Sequence, residues 1–400
     1  MVLSRREVLG SFVALGATSL FSPAIRSETK PTYRVVVIGH TGRGNYGHGI
    51  DQIWHSVPET QLTAVADPNE QGRAKAIDRL KIPTASAFAD YRVMLEELRP
   101  EIVAIGPRHV DQHCEMALAA VRSGAKGIYI EKPFVRDLVE ADQIVGTCKT
   151  AHTKLAIAHR NRYHPVLPVI RELVKDGVIG RLLEIRLRGK EDQRGGLLDL
   201  WVLGSHLLNL ALYFAGPATA CTAGIYQDGR PVTRDDLTEG AEGVGPIAGN
   251  EVHARYETAS GVPIYFDSIQ GAGTREAGFG LQLIGNGGII DLRADREPLA
   301  HICLGNPHRP DREGRSWIPL TSAGIGKPEP TANIQQLVAG HLGPVQDLLA
   351  SIENDRAPLC SATDGRAVVE MTMAVYASHR DSGKRVDLPL HDRLHPFTKW

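Results

Sequence analysis

Two side chains in this 400-residue sequence stand where they could hold charge or move protons at a reacting centre. Lys132 lies in Glu131-Lys132-Pro133, directly after the run Gly127-Ile-Tyr-Ile130. A lysine at the carboxyl end of a buried parallel strand faces the ligand side of its sheet; a surface ion pair with Glu131 or a neighbour is the plainer alternative. Pro133 sets a rigid turn beside it, and the peptide before a proline can be cis at modest cost. His206 lies within Leu198 to Phe214, a stretch that is apolar nearly all round. On such a buried helix a histidine is either a satisfied core group or a catalyst. Asp199, seven residues earlier, is two α-helical turns away and so on the same face. His206, Asp199 and His164 could also ligate a metal, but nothing there has dedicated ligand spacing, and no metal is expected.

These residues need elements to position them. Tyr33-Arg-Val-Val-Val-Ile38 is a β-branched run that reads as a buried parallel strand. It runs into Gly39-His-Thr-Gly42-Arg-Gly44-Asn-Tyr-Gly47-His-Gly49. Glycines after a strand let the backbone turn sharply and approach a pyrophosphate at a helix N-terminus. Gly42, Gly44 and Gly47 match G-x-G-x-x-G literally. The register Gly39, Thr41, Gly44 is preferred, because the tight turn should abut the strand. A second strand, Gln61 to Ala66, ends at Asp67, 28 residues beyond Gly39 and near the spacing for a carboxylate on the adenosine ribose. Asp67 could instead cap the following helix. An acid there favours NAD over NADP, while Arg43 and Arg73 keep NADP open. Further strands at 101–106 and 127–130 alternate with a helix at 111–123, which predicts a parallel sheet with right-handed crossovers.

The second half reads as helix 165–175, strand 182–188, helix 198–214, strands at 252–256, 263–269, 279–284 and 288–292, and helices at 334–354 and 364–382. The fold class expected is α/β: a doubly wound Rossmann domain over 32–152, then a second domain over 153–400, which the family resemblance that follows implies is α+β with an open, mainly antiparallel sheet. Residues 226–250, rich in glycine and aspartate, read as a loop near the site or an oligomer contact. Net charge is −1, which leaves no basic footprint for nucleic acid. No segment after the N-terminal 30 residues reads as a membrane span. Five widely spaced cysteines without C-x-x-C argue against a disulfide framework or a zinc site. Ser4-Arg5-Arg6-Glu7-Val8-Leu9, ahead of a short apolar run, resembles a twin-arginine export signal over 1–29, so a periplasmic location is expected.

Gly39…Gly44, Asp67, Gly106-Pro107 followed by His113, and Glu131-Lys132-Pro133 occur in an order that resembles the Gfo/Idh/MocA family of NAD(P)-dependent sugar and cyclitol oxidoreductases. The resemblance continues through His159-Arg-Asn-Arg162-Tyr163-His-Pro165, Gly177-Val-Ile-Gly180, Gly195-Gly196…Asp199…Gly204-Ser-His206-Leu-Leu-Asn209 and Gly285-Asn-Gly-Gly288. It implies that a dinucleotide meets Gly39, His40, Thr41, Gly42, Arg43, Gly44, Asp67, Pro107, His113, Glu131, Lys132 and Arg162, and a carbohydrate meets Asn161, Tyr163 and Asn209. His206 would take a hydroxyl proton as hydride leaves its carbon, with Lys132 stabilising charge on that oxygen. Many relatives carry Asp four residues before the histidine and often another three after; here those places hold Val202 and Asn209, and Asp199 could take over the role. Export without a nicotinamide pool implies a non-dissociating cofactor restored at each turnover, by paired oxidation and reduction of two sugars or by a redox-neutral glycosidase or epimerase cycle. A cytoplasmic dehydrogenase and a non-catalytic sugar-binding protein remain as alternatives, and relatives suggest a homodimer or tetramer.

Overall fold

The computed structural model describes residues 32–272, 278–310 and 314–400. The proposed export signal lies outside them.

Six parallel strands form the first sheet: β1 (Tyr33–Ile38), β2 (Thr60–Ala66), β3 (Ala87–Phe88), β4 (Ile102–Ile105), β5 (Gly127–Ile130) and β6 (Lys154–Ile157), in the order β3-β2-β1-β4-β5-β6. The order turns back on itself between β1 and β4, which opens a crevice at their carboxyl ends. Helices α1 (Glu70–Leu80), α2 (Tyr91–Leu98), α3 (His113–Arg122) and α4 (Leu138–Ala151) supply the crossovers. The expected boundary at 152 is early: β6 pairs with β5 over 154–157 and belongs to this sheet.

One expected element is missing. No α-helix follows β1; residues 40–52 form turns and Ile53–Ser56 a single 3-10 turn. Positive φ at Gly42, Gly44, Asn45, Gly47 and Gly49 is incompatible with a right-handed helix. The sheet face so exposed is covered from far along the chain. Helix α9 (Leu342–Glu353) lays Val345, Leu348 and Leu349 against Tyr33, Val35, Val37, Tyr129 and Ala156. It is separated from α8 (Ile334–Val338) by His341 in the left-handed conformation, which divides the single helix expected there.

The second sheet is built on β7 (Leu182–Arg188), β8 (Ala218–Gln227), short strands β9 (Arg230–Pro231), β10 (Thr238–Glu239) and β11 (Pro246–Ile247), then β12 (Glu251–Thr258), β13 (Ile264–Ile269), β14 (Gly280–Gly285), β15 (Gly288–Arg293), β16 (Ala300–Leu304), β17 (Ile318–Thr321), β18 (Gly324–Ile325) and β19 (Val386–Asp387). Its order is β18-β17-β16-β15-β14-β7-β13-β12-β8-β19, with β9 paired to β8; only β13 and β7 run parallel. β10 and β11 form a separate hairpin within 226–250. Helices α5 (Val166–Lys175), α6 (Gly196–Asp199), α7 (Ser205–Ala215) and α10 (Ala362–Arg380) contribute buried faces to the core shared with this sheet. Alternation in β12 puts Val252, Ala254, Tyr256 and Thr258 inside and Glu251, His253, Arg255 and Glu257 outside. The stretch Gly196–Ala215 is long and apolar enough to cross a membrane, contrary to the sequence reading, but it is mostly buried within the protein.

Candidate functional site

The carboxyl end of β1 opens directly into a tight loop. His40 and Asn45 exchange main-chain hydrogen bonds at 3.0 Å, so Thr41 to Gly44 form the tip. A Cβ on Gly44 would lie 2.2 Å from the main-chain nitrogen of Arg108, and one on Gly47 2.7 Å from the carbonyl oxygen of Gly106. The chain therefore rests backbone to backbone on the exit of β4. Gly39 is required by Tyr46, whose ring would sit 2.1 Å from a Cβ there; around Gly42 the space is open. Beside the loop lies a cavity of about 240 Å³, lined by Gly39, His40, Pro68, Tyr91, Gln112 and Met116. A glycine-lined turn with free space at its tip, next to a mainly apolar cleft at the strand-order reversal, suits a dinucleotide's pyrophosphate and adenine. His40 lies 2.8 Å from Gln112 Oε1, and Arg43 pairs with Asp111. Asp67 is fully buried and accepts from Thr41 and Asn69.

The end of β5 carries Glu131 and Lys132, both buried, with a cis peptide between Lys132 and Pro133. Glu131 is not a surface partner. Its Oε1 accepts from the His48 main-chain N–H at 3.0 Å and lies 2.8 Å from His48 Nδ1, while Oε2 accepts from the Lys132 N–H at 2.8 Å. Burial alone would raise its pKa; the hydrogen bond from His48 and the charge of Lys132 instead hold it at about 2. Lys132 is pulled the other way, below the usual lysine value, by burial, which Glu131, Glu242 and Asp295 only partly offset. Its Nζ donates to the carbonyl of Val202 at 2.9 Å.

That carbonyl belongs to an irregular turn. Between α6 and α7, residues Leu200–Gly204 form a π-helical turn inside an otherwise continuous helix. Such i→i+5 turns widen the helix and commonly mark functional sites. Val202 thus meets Lys132 through its main chain, at the place where relatives are expected to offer a carboxylate. The same turn breaks the register that would align Asp199 with His206. Asp199 Oδ2 accepts from Ser268 Oγ at 2.7 Å and from the Glu191 N–H at 3.0 Å, at the end of the second sheet. Burial raises its pKa, against the hydrogen bonds from Ser268 and Glu191 and the charge of Arg194. The reading of Asp199 as a catalytic partner of His206 is therefore corrected: it is a sheet-facing structural group.

His206 packs edge-on to His159, ring centroids 5.0 Å apart, and 5.9 Å from Phe279. His206 Nδ1 and both ring nitrogens of His159 are buried without a protein partner. Burial, followed by the charge of Lys132, depresses both: His206 well below its ordinary value and His159 to about 3. Two neutral imidazoles and an ammonium thus share one enclosed space. Orphaned buried nitrogens are costly unless a ligand completes them.

The remaining expected residues divide. His113 lies between two carbonyls, Pro107 at 2.7 Å and Phe134 at 3.0 Å, and so ties the exit of β4 to the Glu-Lys-Pro turn. Asn161 exchanges hydrogen bonds with Asp295, anchoring the turn after β15. Arg162 stacks 4.0 Å over Tyr213, a residue of α7, rather than at the glycine loop; it is corrected to a packing residue. Tyr163 is buried, its pKa raised well above normal by burial and by Cys360 and Tyr129 nearby. Asn209 donates to Cys360 Sγ at 3.4 Å. The Tyr163 hydroxyl and Asn209 Oδ1 are buried without a protein partner, as is His206 Nδ1. His164 faces Glu297, so the possible metal trio with His206 and Asp199 is not assembled; among the described residues no metal-ligand cluster occurs.

Sequence reasoning did not single out His159, His48, His341 or Glu242. His341, at the start of α9, donates to the His48 carbonyl at 3.0 Å and lies 2.6 Å from the Tyr129 hydroxyl, fastening α9 to the loop behind Glu131. Glu242, in the 226–250 segment, is near enough for its charge to act on Lys132; adjacent Gly243 packs against Asp111. His159 opens one of the family motifs, His48 falls inside the glycine-rich run and Glu242 inside the 226–250 segment. The roles of His48 and His341 depend on contacts across 83 to 293 positions of sequence.

Residues 33–159 match a family described as an oxidoreductase family with an NAD-binding Rossmann fold, and residues 171–388 match its C-terminal alpha/beta domain. The levoglucosan dehydrogenase of Pseudarthrobacter phenanthrenivorans is 24% identical over 238 residues, 54% of this chain and 59% of that one. A solved levoglucosan dehydrogenase in complex with NADH and levoglucosan superposes with a TM-score of 0.69 at 19% identity, covering 90% of this chain and 99% of that one. The aldose-aldose oxidoreductase of Caulobacter crescentus, solved with glycerol, gives 0.67 at 18%, covering 89% and 100%. The chain spans about half the length of the curated relatives it matches. With both halves matched and the lysine and histidines gathered at the carboxyl edge of the nucleotide-binding sheet, the chain belongs to the Gfo/Idh/MocA oxidoreductase family.

Proposed function

We propose that this protein oxidises or reduces a hydroxyl-bearing carbon of a sugar, glycoside or cyclitol, using NAD or NADP. The observation that carries this reading is the meeting of Lys132, His206 and His159 in one buried space at the end of β5, below the glycine-lined loop. When bound, nicotinamide supplies a two-electron hydride acceptor. The residues must then manage the hydroxyl proton. A lysine has three donors, of which Val202 uses one, so two remain to orient the substrate oxygen and stabilise its negative charge. His206, held neutral by burial, has an acceptor nitrogen for the departing proton. The rings of His159 and Phe279 pack against His206. A protonated His206 would be unstable in this space, which favours passing the proton onward or returning it in the reverse direction.

In the finer reading, the dinucleotide remains bound and each cycle restores it. The Arg5-Arg6 signal motivates this, through export to the periplasm, and likeness to an aldose-aldose oxidoreductase supports pairing of two sugars. A redox-neutral glycosidase or epimerase would use the same residues. Purified protein, denatured and assayed for released nucleotide, tests retention. A carbohydrate panel read at 340 nm, against isotope exchange at the reacting carbon, separates net oxidation from internal return. Retained NAD(P) with exchange but no net reduction supports recycling; rapid net reduction with freely exchanging nucleotide supports an ordinary dehydrogenase. Light scattering tests the proposed homodimer or tetramer.

A further inference from the structure

Asp67 ends β2 where a doubly wound sheet presents a carboxylate to the adenosine ribose. Here that carboxylate is fully buried and committed elsewhere. Thr41 donates its main-chain N–H to both oxygens, at 3.1 and 3.2 Å, and its hydroxyl to Oδ2 at 2.7 Å; the Asn69 N–H donates to Oδ1 at 2.9 Å. These contacts occupy the roughly four acceptor positions of a carboxylate. Thr41 also sits in a notch made for it, since a Cβ on Gly72 would lie 1.9 Å from its hydroxyl oxygen. A ribose hydroxyl could reach Asp67 only by displacing Thr41.

A cation stands next to this closed carboxylate. Arg73, one turn into α1, donates Nη1 to the main-chain carbonyl of Asp67 at 2.7 Å and is partly exposed. A guanidinium has five donors, and no carboxylate among the described residues forms an ion pair with Arg73. Arg43, at the tip of the loop, is already paired with Asp111.

We infer that Asp67 is a positioning residue that fixes the glycine loop through Thr41, and that the ribose edge admits a 2′-phosphate, held by Arg73. This rests on the NAD(P) reading above. An acid at the end of β2 normally repels a 2′-phosphate; with its oxygens capped by Thr41 and Asn69 and an arginine at its carbonyl, that barrier is lowered. A guanidinium engages phosphate oxygens in a paired geometry that an ammonium does not reproduce.

The test is direct binding. The purified full chain, stripped of nucleotide on charcoal, is titrated with NADH and with NADPH, and fluorescence of the bound reduced nicotinamide is read. Dissociation constants within about tenfold of each other are expected. Arg73→Gln should weaken NADPH by about tenfold or more and leave NADH within about twofold. Arg73→Lys should recover part of the NADPH affinity. NADH binding with NADPH at least a hundredfold weaker in the wild type would overturn the inference and leave the oxidoreductase reading standing. Equal weakening of both nucleotides by Arg73→Gln would likewise overturn it. Failure of both nucleotides to bind the wild type would remove both readings.

Discussion

Lys132 Nζ donates a 2.9 Å hydrogen bond to the carbonyl of Val202, across 70 residues of sequence and from one sheet's edge to the other domain's buried helix. The bond reaches a main-chain group within the π turn, so substitution of the Val202 side chain does not remove it. It sets the ammonium beside His206, and among the described residues no carboxylate lies within hydrogen-bond distance of it. Replacing Lys132 with Met should keep the fold and NADH binding and lower kcat by about 10²- to 10⁴-fold, the range for a lost proton-handling group. Stopped-flow rates alongside NADH fluorescence check this.

Asp199 should behave differently. Its contacts are Ser268 and Glu191 on the second sheet. Asp199→Ala should cost about 1–3 kcal/mol of stability, the usual penalty for breaking a buried polar pair, while kcat at permissive temperature stays within about tenfold. A loss of activity equal to that of His206→Asn, with stability unchanged, would restore Asp199 to the catalytic set.

Gly44→Ala tests the loop. The residue has φ +85°, and an added Cβ would meet the Arg108 main-chain nitrogen at 2.2 Å. Left-handed backbone alone costs a side chain about 1–2 kcal/mol, and here the neighbour is backbone that cannot rotate away. NADH affinity should fall by about tenfold or more, tenfold being 1.4 kcal/mol, as read by fluorescence titration. Gly42→Ala should be milder, since its surroundings are open.

Stability should fall on acidification. His159 is held at about 3, and His341 and His395 at about 4, each chiefly by burial. A histidine depressed in the folded state binds its proton first in the unfolded state, so stability is complete above the unfolded value near 6.5 and is lost as pH falls towards the folded value. Each such group removes about 1.4 kcal/mol per pH unit in that window. Denaturant midpoints should therefore drop steeply between about pH 6 and 4, and His395→Asn should make the slope shallower. A flat profile there would contradict the buried neutral assignment.

The nucleotide-binding sheet was largely legible because fully buried parallel strands write themselves as short β-branched runs, as in Val35-Val36-Val37-Ile38. Lys132 was legible as a strand-end residue. Three features were not. The helix expected after β1 is replaced by α9, some 300 residues later, and local periodicity carries no sign of such long-range covering. The π turn at Leu200–Gly204 has the composition of ordinary helix, so spacing alone placed Asp199 on the wrong face. Arg162 and Asn209 followed the family pattern, yet their partners, Tyr213 and Cys360, are settled by packing between helices and the chain before α10. The stretch 196–215 also shows that an apolar run records burial before it records a membrane.

The most direct measurement is a single turnover. Enzyme loaded with one equivalent of NAD+ is mixed with carbohydrate substrate and followed at 340 nm, wild type against Lys132→Met at equal nucleotide occupancy. The wild type should reduce its bound nucleotide rapidly, and the variant should do so at least about a hundredfold more slowly. Reduction in the variant at the wild-type rate would show that Lys132, for all its burial beside His206, takes no part in the chemistry.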